Sequence, residues 1–152
     1  TPPERRVFFS HVPKCGGTSI VRALKTSLNS DRFGRFWIDR LASKEAADAC
    51  ETDMMSCREL VLAYHLSCEN ATLAHGHVYG RPAVRERFAD RWMFVTMLRS
   101  PVDRWISEFV YNTNKKVDWV RNDLPLEQYL ESRKGHIDRK LVSSVLFQFR
   151  SP

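Results

Sequence analysis

Apolar residues fall along the chain in short strand-like runs that alternate with helix-spaced stripes. Val7, Phe8, Phe9 and Val12 form a run suited to an interior strand, closed by Pro13 because proline cannot donate to a ladder. Gly16-Gly17 follows as a turn, and from Thr18 onward Ile20, Val21, Leu24 and Leu28 recur at helical spacing. Residues 29–40 read as a polar and aromatic connection containing Gly34, 41–50 as an alanine-rich helix, and 59–64 and 71–78 as short strands. A short helix is predicted over 82–89, with Pro82 tolerated in its first turn. The apolar run 92–98 predicts a second interior strand leading straight into a helix, with Ser100 as N-cap, Pro101 as first helical residue and Asp103 three after the cap. Val102, Trp105, Ile106, Phe109 and Val110 are expected to form its buried stripe. Helices are expected over 124–132 and 137–149, and residues 1–5 read as the end of a linker. Strands alternating with helices predict an α/β fold with a central parallel sheet flanked by helices, and ligands at the carboxyl ends of the strands.

With 152 residues, 43% hydrophobic and 28% charged, the chain suits one globular domain over residues 1–152. The net charge of +6 favours an anionic partner, but the 24 basic residues are scattered rather than gathered in a block. Phe8, Phe9, Trp92, Phe94, Trp105 and Phe109 lie on predicted interior faces, not as base-stacking platforms, so no nucleic-acid partner is expected. The longest apolar runs are too short to span a bilayer and no signal peptide is visible at Thr1, so membrane attachment would come only through an anchor outside this chain. The four cysteines lack zinc-site spacing, and Cys15, in the turn, is expected to be unpaired. Asn70-Ala71-Thr72 is an N-glycosylation pattern which, with Cys50, Cys57 and Cys68, would suit an oxidising lumen.

The stretch from Arg6 to Ile20 carries the first candidate chemistry. A glycine turn entering a helix presents amides at Gly17, Thr18 and Ser19 toward the turn, where a phosphate or sulfate is favoured. Lys14 adds a positive charge at the same mouth, and Thr18 and Ser19 add hydroxyls. In the nucleotide-binding P-loop the lysine follows the last glycine; here Lys14 precedes Gly16 and Gly17 and the loop is shorter, so an ATP or GTP hydrolase or kinase fits poorly. A three-layer P-loop-like arrangement fits the order of elements. Between the two strand-to-helix corners, Ala74-His75-Gly76-His77 falls at a strand end. In extended backbone His75 and His77 point to the same face, which suits a base and its support, a structural pair, or two metal ligands lacking a third.

Lys14-Cys15-Gly16-Gly17-Thr18-Ser19 resembles the 5′-phosphosulfate loop of sulfotransferases that use 3′-phosphoadenosine 5′-phosphosulfate (PAPS). Arg99-Ser100-Pro101-Val102-Asp103-Arg104-Trp105-Ile106-Ser107-Glu108 resembles the same family's 3′-phosphate motif. The branch that the chain looks most like is the Golgi carbohydrate sulfotransferases, particularly the heparan sulfate 2-O- and 6-O-group, over residues 7–109. The resemblance implies that Lys14 binds the phosphosulfate and stabilises charge on the bridging oxygen. It implies that Cys15, Gly16, Gly17, Thr18 and Ser19 surround the 5′-phosphate, and that Arg99 and Ser107 take the 3′-phosphate. Arg104 is left unassigned. His77, with His75 beside it, resembles the His-x-His stretch of the 2-O branch and is the expected general base. Other branches use a glutamate, so Glu59 and Glu69 stay open, while His11 reads as a strand-end residue.

The expectation is therefore a PAPS-dependent O-sulfotransferase that needs no metal and acts on a carbohydrate, including anionic polysaccharide. It would work in the Golgi lumen as a type II membrane protein whose anchor lies outside this chain; the alternative location is the cytoplasm. Family members continue well past the 3′-phosphate helix, so a truncation would fall at the C-terminal end. The rival of another class is a non-catalytic anion- or polysaccharide-binding module on the same fold, and the less favoured rival enzyme is a P-loop kinase. Tyrosine and small-molecule acceptors remain alternatives.

Overall fold

The computed structural model describes residues 6–115 and 121–132, in two compact units, Thr1–Met97 and Leu98–Pro152. The expected linker at 1–5 and the expected helix at 137–149 lie outside the described residues. The first unit runs β1 (Arg6–Ser10), α1 (Gly17–Ser27), α2 (Ser30–Phe33), β2 (Arg35–Ile38), α3 (Arg40–Ala49), α4 (Met54–Ser67), β3 (Leu73–Gly76), α5 (Pro82–Phe88) and β4 (Trp92–Thr96). Its four strands lie in the order β2-β3-β1-β4, and every pairing is parallel. The α/β class with a parallel central sheet is as the alternation of elements predicts. β1 sits between β3 and β4, so the chain leaves it toward one side and returns on the other, the arrangement that opens a crevice at the strand ends.

Alternation along the strands sorts the core into two faces. Phe8, Ala74, Phe36 and Phe94 share one face through the register Phe8↔Ala74, Phe36↔Ala74 and Phe8↔Phe94. Against it pack Leu62 and Leu66 of α4 and Phe88 of α5, with Phe8 and Phe94 meeting edge to face at 5.4 Å between ring centres. The Trp92 indole donates to the Leu66 carbonyl at 2.9 Å, so the largest buried apolar side chain of β4 also has its polar atom satisfied. The opposite face carries Phe9 and His75.

Three sequence expectations in the first unit are corrected. Residues 59–64 are not a strand but the middle of α4, because a short apolar run cannot by itself separate strand from buried helix. Asp53 caps this helix, accepting from the amides of Met55 at 3.0 Å and Ser56 at 2.9 Å, and Leu62 and Leu66, four apart, fill one face. Residues 29–40 are not merely a connection: they hold α2 and the border strand β2, whose residues alternate, with Phe36 and Ile38 turned inward and Trp37 outward. β4 stops at Thr96 and, among the described residues, stands at the border of the sheet rather than inside it, with Met93 exposed.

The second unit contributes α6 (Pro101–Thr113) and α7 (Leu126–Glu131). Ser100 and Pro101 occupy the N-cap and first helical positions as the sequence predicts, but no side-chain cap bond forms. The expected stripe is rotated: Val102, Ile106 and Val110 are 65%, 48% and 50% exposed. The sequestered side instead carries Trp105 and Phe109, whose rings lie 5.6 and 5.1 Å from that of the fully buried Tyr129 on α7. Arg104 and Asn112 are also buried, each within reach of Glu108 on the same helix.

Because Leu62 is completely enclosed and Leu60 is 72% exposed on the same helix, Leu62→Ala should cost about 2–5 kcal/mol. Leu60→Ala should stay within about 0.5 kcal/mol. Urea unfolding of the two variants beside the parent checks both.

Candidate functional site

Parallel neighbours end at the same edge of a sheet, and the register Ser10↔Gly76 brings the end of β1 level with the end of β3. The pairing continues one step further, since the His11 amide donates to the Gly76 carbonyl at 2.9 Å. This is the local cause of the site: the turn after β1 and His77 after β3 are forced together by hydrogen bonding of the strands that lead into them.

After β1 the chain passes Lys14, whose φ of +63° is left-handed, and reaches Gly16, also left-handed at φ +77°, as the N-cap of α1. A lysine in this region carries a conformational cost of about 1 kcal/mol, which surrounding structure must offset. α1 begins at Gly17 with no capping side chain and no carboxylate in its first turn, so the helix itself places no negative charge at its positive end. Gly17 is buried, and a Cβ there would overlap the His11 ring. Only glycine lets the helix start this close to the strand end. Cys15 is buried, while Thr18 and Ser19 are exposed at the mouth. The four cysteines form no disulfide.

His77 lies just past β3. Its Nδ1 is 2.6 Å from the His11 carbonyl, and its ring lies 4.6 Å from that of His11. A carbonyl only accepts, so Nδ1 donates to it, and in the neutral imidazole the lone pair falls on Nε2. Through His11, His77 is therefore linked to the Gly17 turn, a juxtaposition across 66 residues of sequence that chain order does not announce. The His11 pKa is lowered, first by burial and then by His77.

His75 is placed differently. It is buried in β3 between Phe9 and Trp37, and its Nε2 has no hydrogen-bond partner among the described residues. Burial, followed by the charges of Lys25 and Arg35, pushes its pKa down to about 4. Of the glutamates considered from the sequence, Glu59 accepts the Gly80 and Arg81 amides with its two oxygens, at 3.0 Å each. Glu69 precedes β3, at the opposite end of that strand from His77. Arg99 and Ser107 belong to the second unit, Arg99 exposed ahead of α6 and Ser107 half-buried within it. Sequence reasoning assigns no role to Arg58, whose Nη1 donates to the His77 carbonyl at 3.0 Å, nor to Ser10, whose hydroxyl donates to the Val78 carbonyl at 2.7 Å. The available signal was the charged Arg58-Glu59 pair inside an otherwise apolar segment. Among the described residues no group of three or more His, Cys, Asp or Glu is arranged to hold a metal, and no helix is long and apolar enough to cross a membrane.

The low pKa of His75 makes stability depend on pH. Its folded value of about 4 is below the ordinary 6.5, so the unfolded chain takes up the proton first, and stability falls as pH drops from 6.5 toward 4. The full effect is of order 3 kcal/mol. His75→Gln should flatten this dependence, leaving the smaller contribution of His11 and His65, whose pKa values burial also lowers. Urea unfolding of parent and variant across that pH window measures it.

A comparison with curated protein sequences finds no match. The model of a family described as the sulfotransferase family matches residues 1–140, a span that takes in both strand-to-helix corners. On that match the chain belongs to the sulfotransferase family, and its reaction class is sulfuryl transfer.

Proposed function

We propose that the chain transfers a sulfuryl group from PAPS to a hydroxyl of a carbohydrate, with His77 as general base and Lys14 acting on the donor. The observation that carries this reading is the hydrogen bond between His77 Nδ1 and the His11 carbonyl, which sets a base with its lone pair on Nε2 beside an anion-favouring turn. Bound PAPS would supply a sulfuryl group activated by a phosphate leaving group. The start of α1, which has no side-chain cap, and the open side of Gly16, where a Cβ would meet nothing within 4 Å, fit such an anion.

Each residue then has a task. The amides and hydroxyls of Gly16, Gly17, Thr18 and Ser19, with Cys15 buried behind them, surround the 5′-phosphate. Lys14 holds the phosphosulfate and stabilises the charge that collects on the bridging oxygen as the S–O bond breaks. His77 Nε2 takes the proton of the acceptor hydroxyl while its oxygen bonds to sulfur, and adenosine 3′,5′-bisphosphate departs. Arg99 and Ser107 are assigned to the 3′-phosphate through the motif that they share with the family. His75, whose low pKa makes it a weak base, is assigned to support of the strand end rather than to proton transfer. The basic surplus of +6 suits an anionic polysaccharide as acceptor. The exposed Asn70 of the glycosylation pattern, with the likeness to the Golgi branch, supports a Golgi-lumen location.

Titration calorimetry with adenosine 3′,5′-bisphosphate should give micromolar-range binding. Lys14→Ala and Arg99→Ala should each weaken it by about tenfold or more, as expected for loss of a charge-assisted contact. With labelled PAPS and desulfated heparan sulfate chains, His77→Ala should lower kcat by about 10²–10⁴-fold while the donor KM changes by less than about twofold. Salt-sensitive polysaccharide binding with no affinity for the bisphosphate would instead favour the non-catalytic module.

A further inference from the structure

We propose that Arg58 and Glu59, adjacent on α4, are positioning residues that hold the main chain of residues 77–81 and, through it, the tautomer of His77. The proposal rests on the reading of His77 as the base.

Past Gly76 the chain leaves the β3 ladder, and its backbone polar groups lose their strand partners. Side chains replace them one by one. Arg58 Nη1 donates to the His77 carbonyl at 3.0 Å, Ser10 Oγ to the Val78 carbonyl at 2.7 Å, and the Gly80 and Arg81 amides donate to Glu59 Oε1 and Oε2 at 3.0 Å each. Gly80 adopts φ +68°, and a Cβ there would lie 3.3 Å from the rings of Phe8 and Phe94. The segment is thus held from α4, from β1 and from the core beneath it.

The positions of the two charged residues are informative. Arg58, Leu62 and Leu66 are spaced four apart on the buried side of α4, so Arg58 occupies the place where an apolar residue would extend the stripe. A charge buried there costs solvation, and burial lowers the Arg58 pKa accordingly. Packing alone gives no reason for a guanidinium at this position. The His77 carbonyl does, because the hydrogen bond to it fixes the main chain from which the imidazole projects. The ring can then keep Nδ1 on the His11 carbonyl, leaving Nε2 as the basic nitrogen. Glu59 holds the far end of the segment through two amides, a geometry that glutamine cannot reproduce, since its NH₂ group would face an N–H.

The test is ¹⁵N NMR of the histidine rings in the full chain, without donor or acceptor, beside kinetics with PAPS and desulfated heparan sulfate. The parent should show His77 as the Nδ1–H tautomer. Glu59→Gln should show a mixture of tautomers at His77 and a kcat at least tenfold lower, with the donor KM changed less than twofold. Leu62→Ala, which removes core packing from the same helix, should keep the parent tautomer, and this separates positioning from general destabilisation. Should Glu59→Gln fail to fold, Arg58→Lys keeps the buried charge, loses the reach to the His77 carbonyl, and is expected to give the same mixture. A folded Glu59→Gln or Arg58→Lys with the parent tautomer and parent kcat overturns the proposal, as does loss of the tautomer in Leu62→Ala to the same degree. His77→Gln, measured alongside, isolates the underlying reading: if it retains kcat, His77 is not the base and its positioning for catalysis falls too, whatever the ring spectra show.

Discussion

The main chain of His11 is hydrogen-bonded on both sides to the end of β3, its amide to the Gly76 carbonyl at 2.9 Å and its carbonyl to His77 Nδ1 at 2.6 Å. The first bond prolongs the parallel ladder by one step; the second converts a strand-end contact into the orientation of an imidazole. Around this junction the glycine turn, the start of α1 and the histidine segment all take their places. The ring of His11 touches the space that Gly17 leaves open, so the same residue joins the anion-favouring turn to the basic nitrogen. A shift of register by one residue between β1 and β3 would turn every side chain of one strand to the other face and dismantle both.

Two histidines two residues apart acquire opposite characters from this geometry. His75 remains inside the sheet, enclosed and near Lys25 and Arg35, and is held neutral with a pKa of about 4. His77 has left the ladder, is half-buried, and has its tautomer set by a backbone carbonyl. The end of β3 is what separates them. Desolvation governs the first, hydrogen bonding the second.

α4 serves both structure and site. Leu62 and Leu66 fill the core beneath the sheet, and one turn toward the N-terminus the same face presents Arg58, with Glu59 next to it, to the segment after His77. Buried charges need hydrogen-bond partners, and backbone groups released at the end of β3 supply one to Arg58 Nη1 and two to the Glu59 carboxylate, while Arg58 Nε has none among the described residues. The helix therefore ties the stability of the core to the geometry of the strand ends.

Much of this was legible in the chain itself. The apolar run at Val7–Phe9 and the Gly16-Gly17 turn located β1 and the start of α1, and Trp92 and its neighbours located β4. These features are local, set by side-chain periodicity and by the φ freedom of glycine. The helical state of 54–67 was less legible because its apolar residues fit either period, although Asp53 was a cap in plain view. The strand at Arg35–Ile38 was missed because a border strand has only one edge to pair and few residues to declare it. What tertiary structure alone decided is the meeting of His11 with His77 and of Arg58 and Glu59 with residues 77–81. Those contacts join elements far apart in the chain, and they are fixed by parallel strand register and by the need to satisfy backbone groups where a ladder ends, neither of which leaves a periodic trace in the order of amino acids.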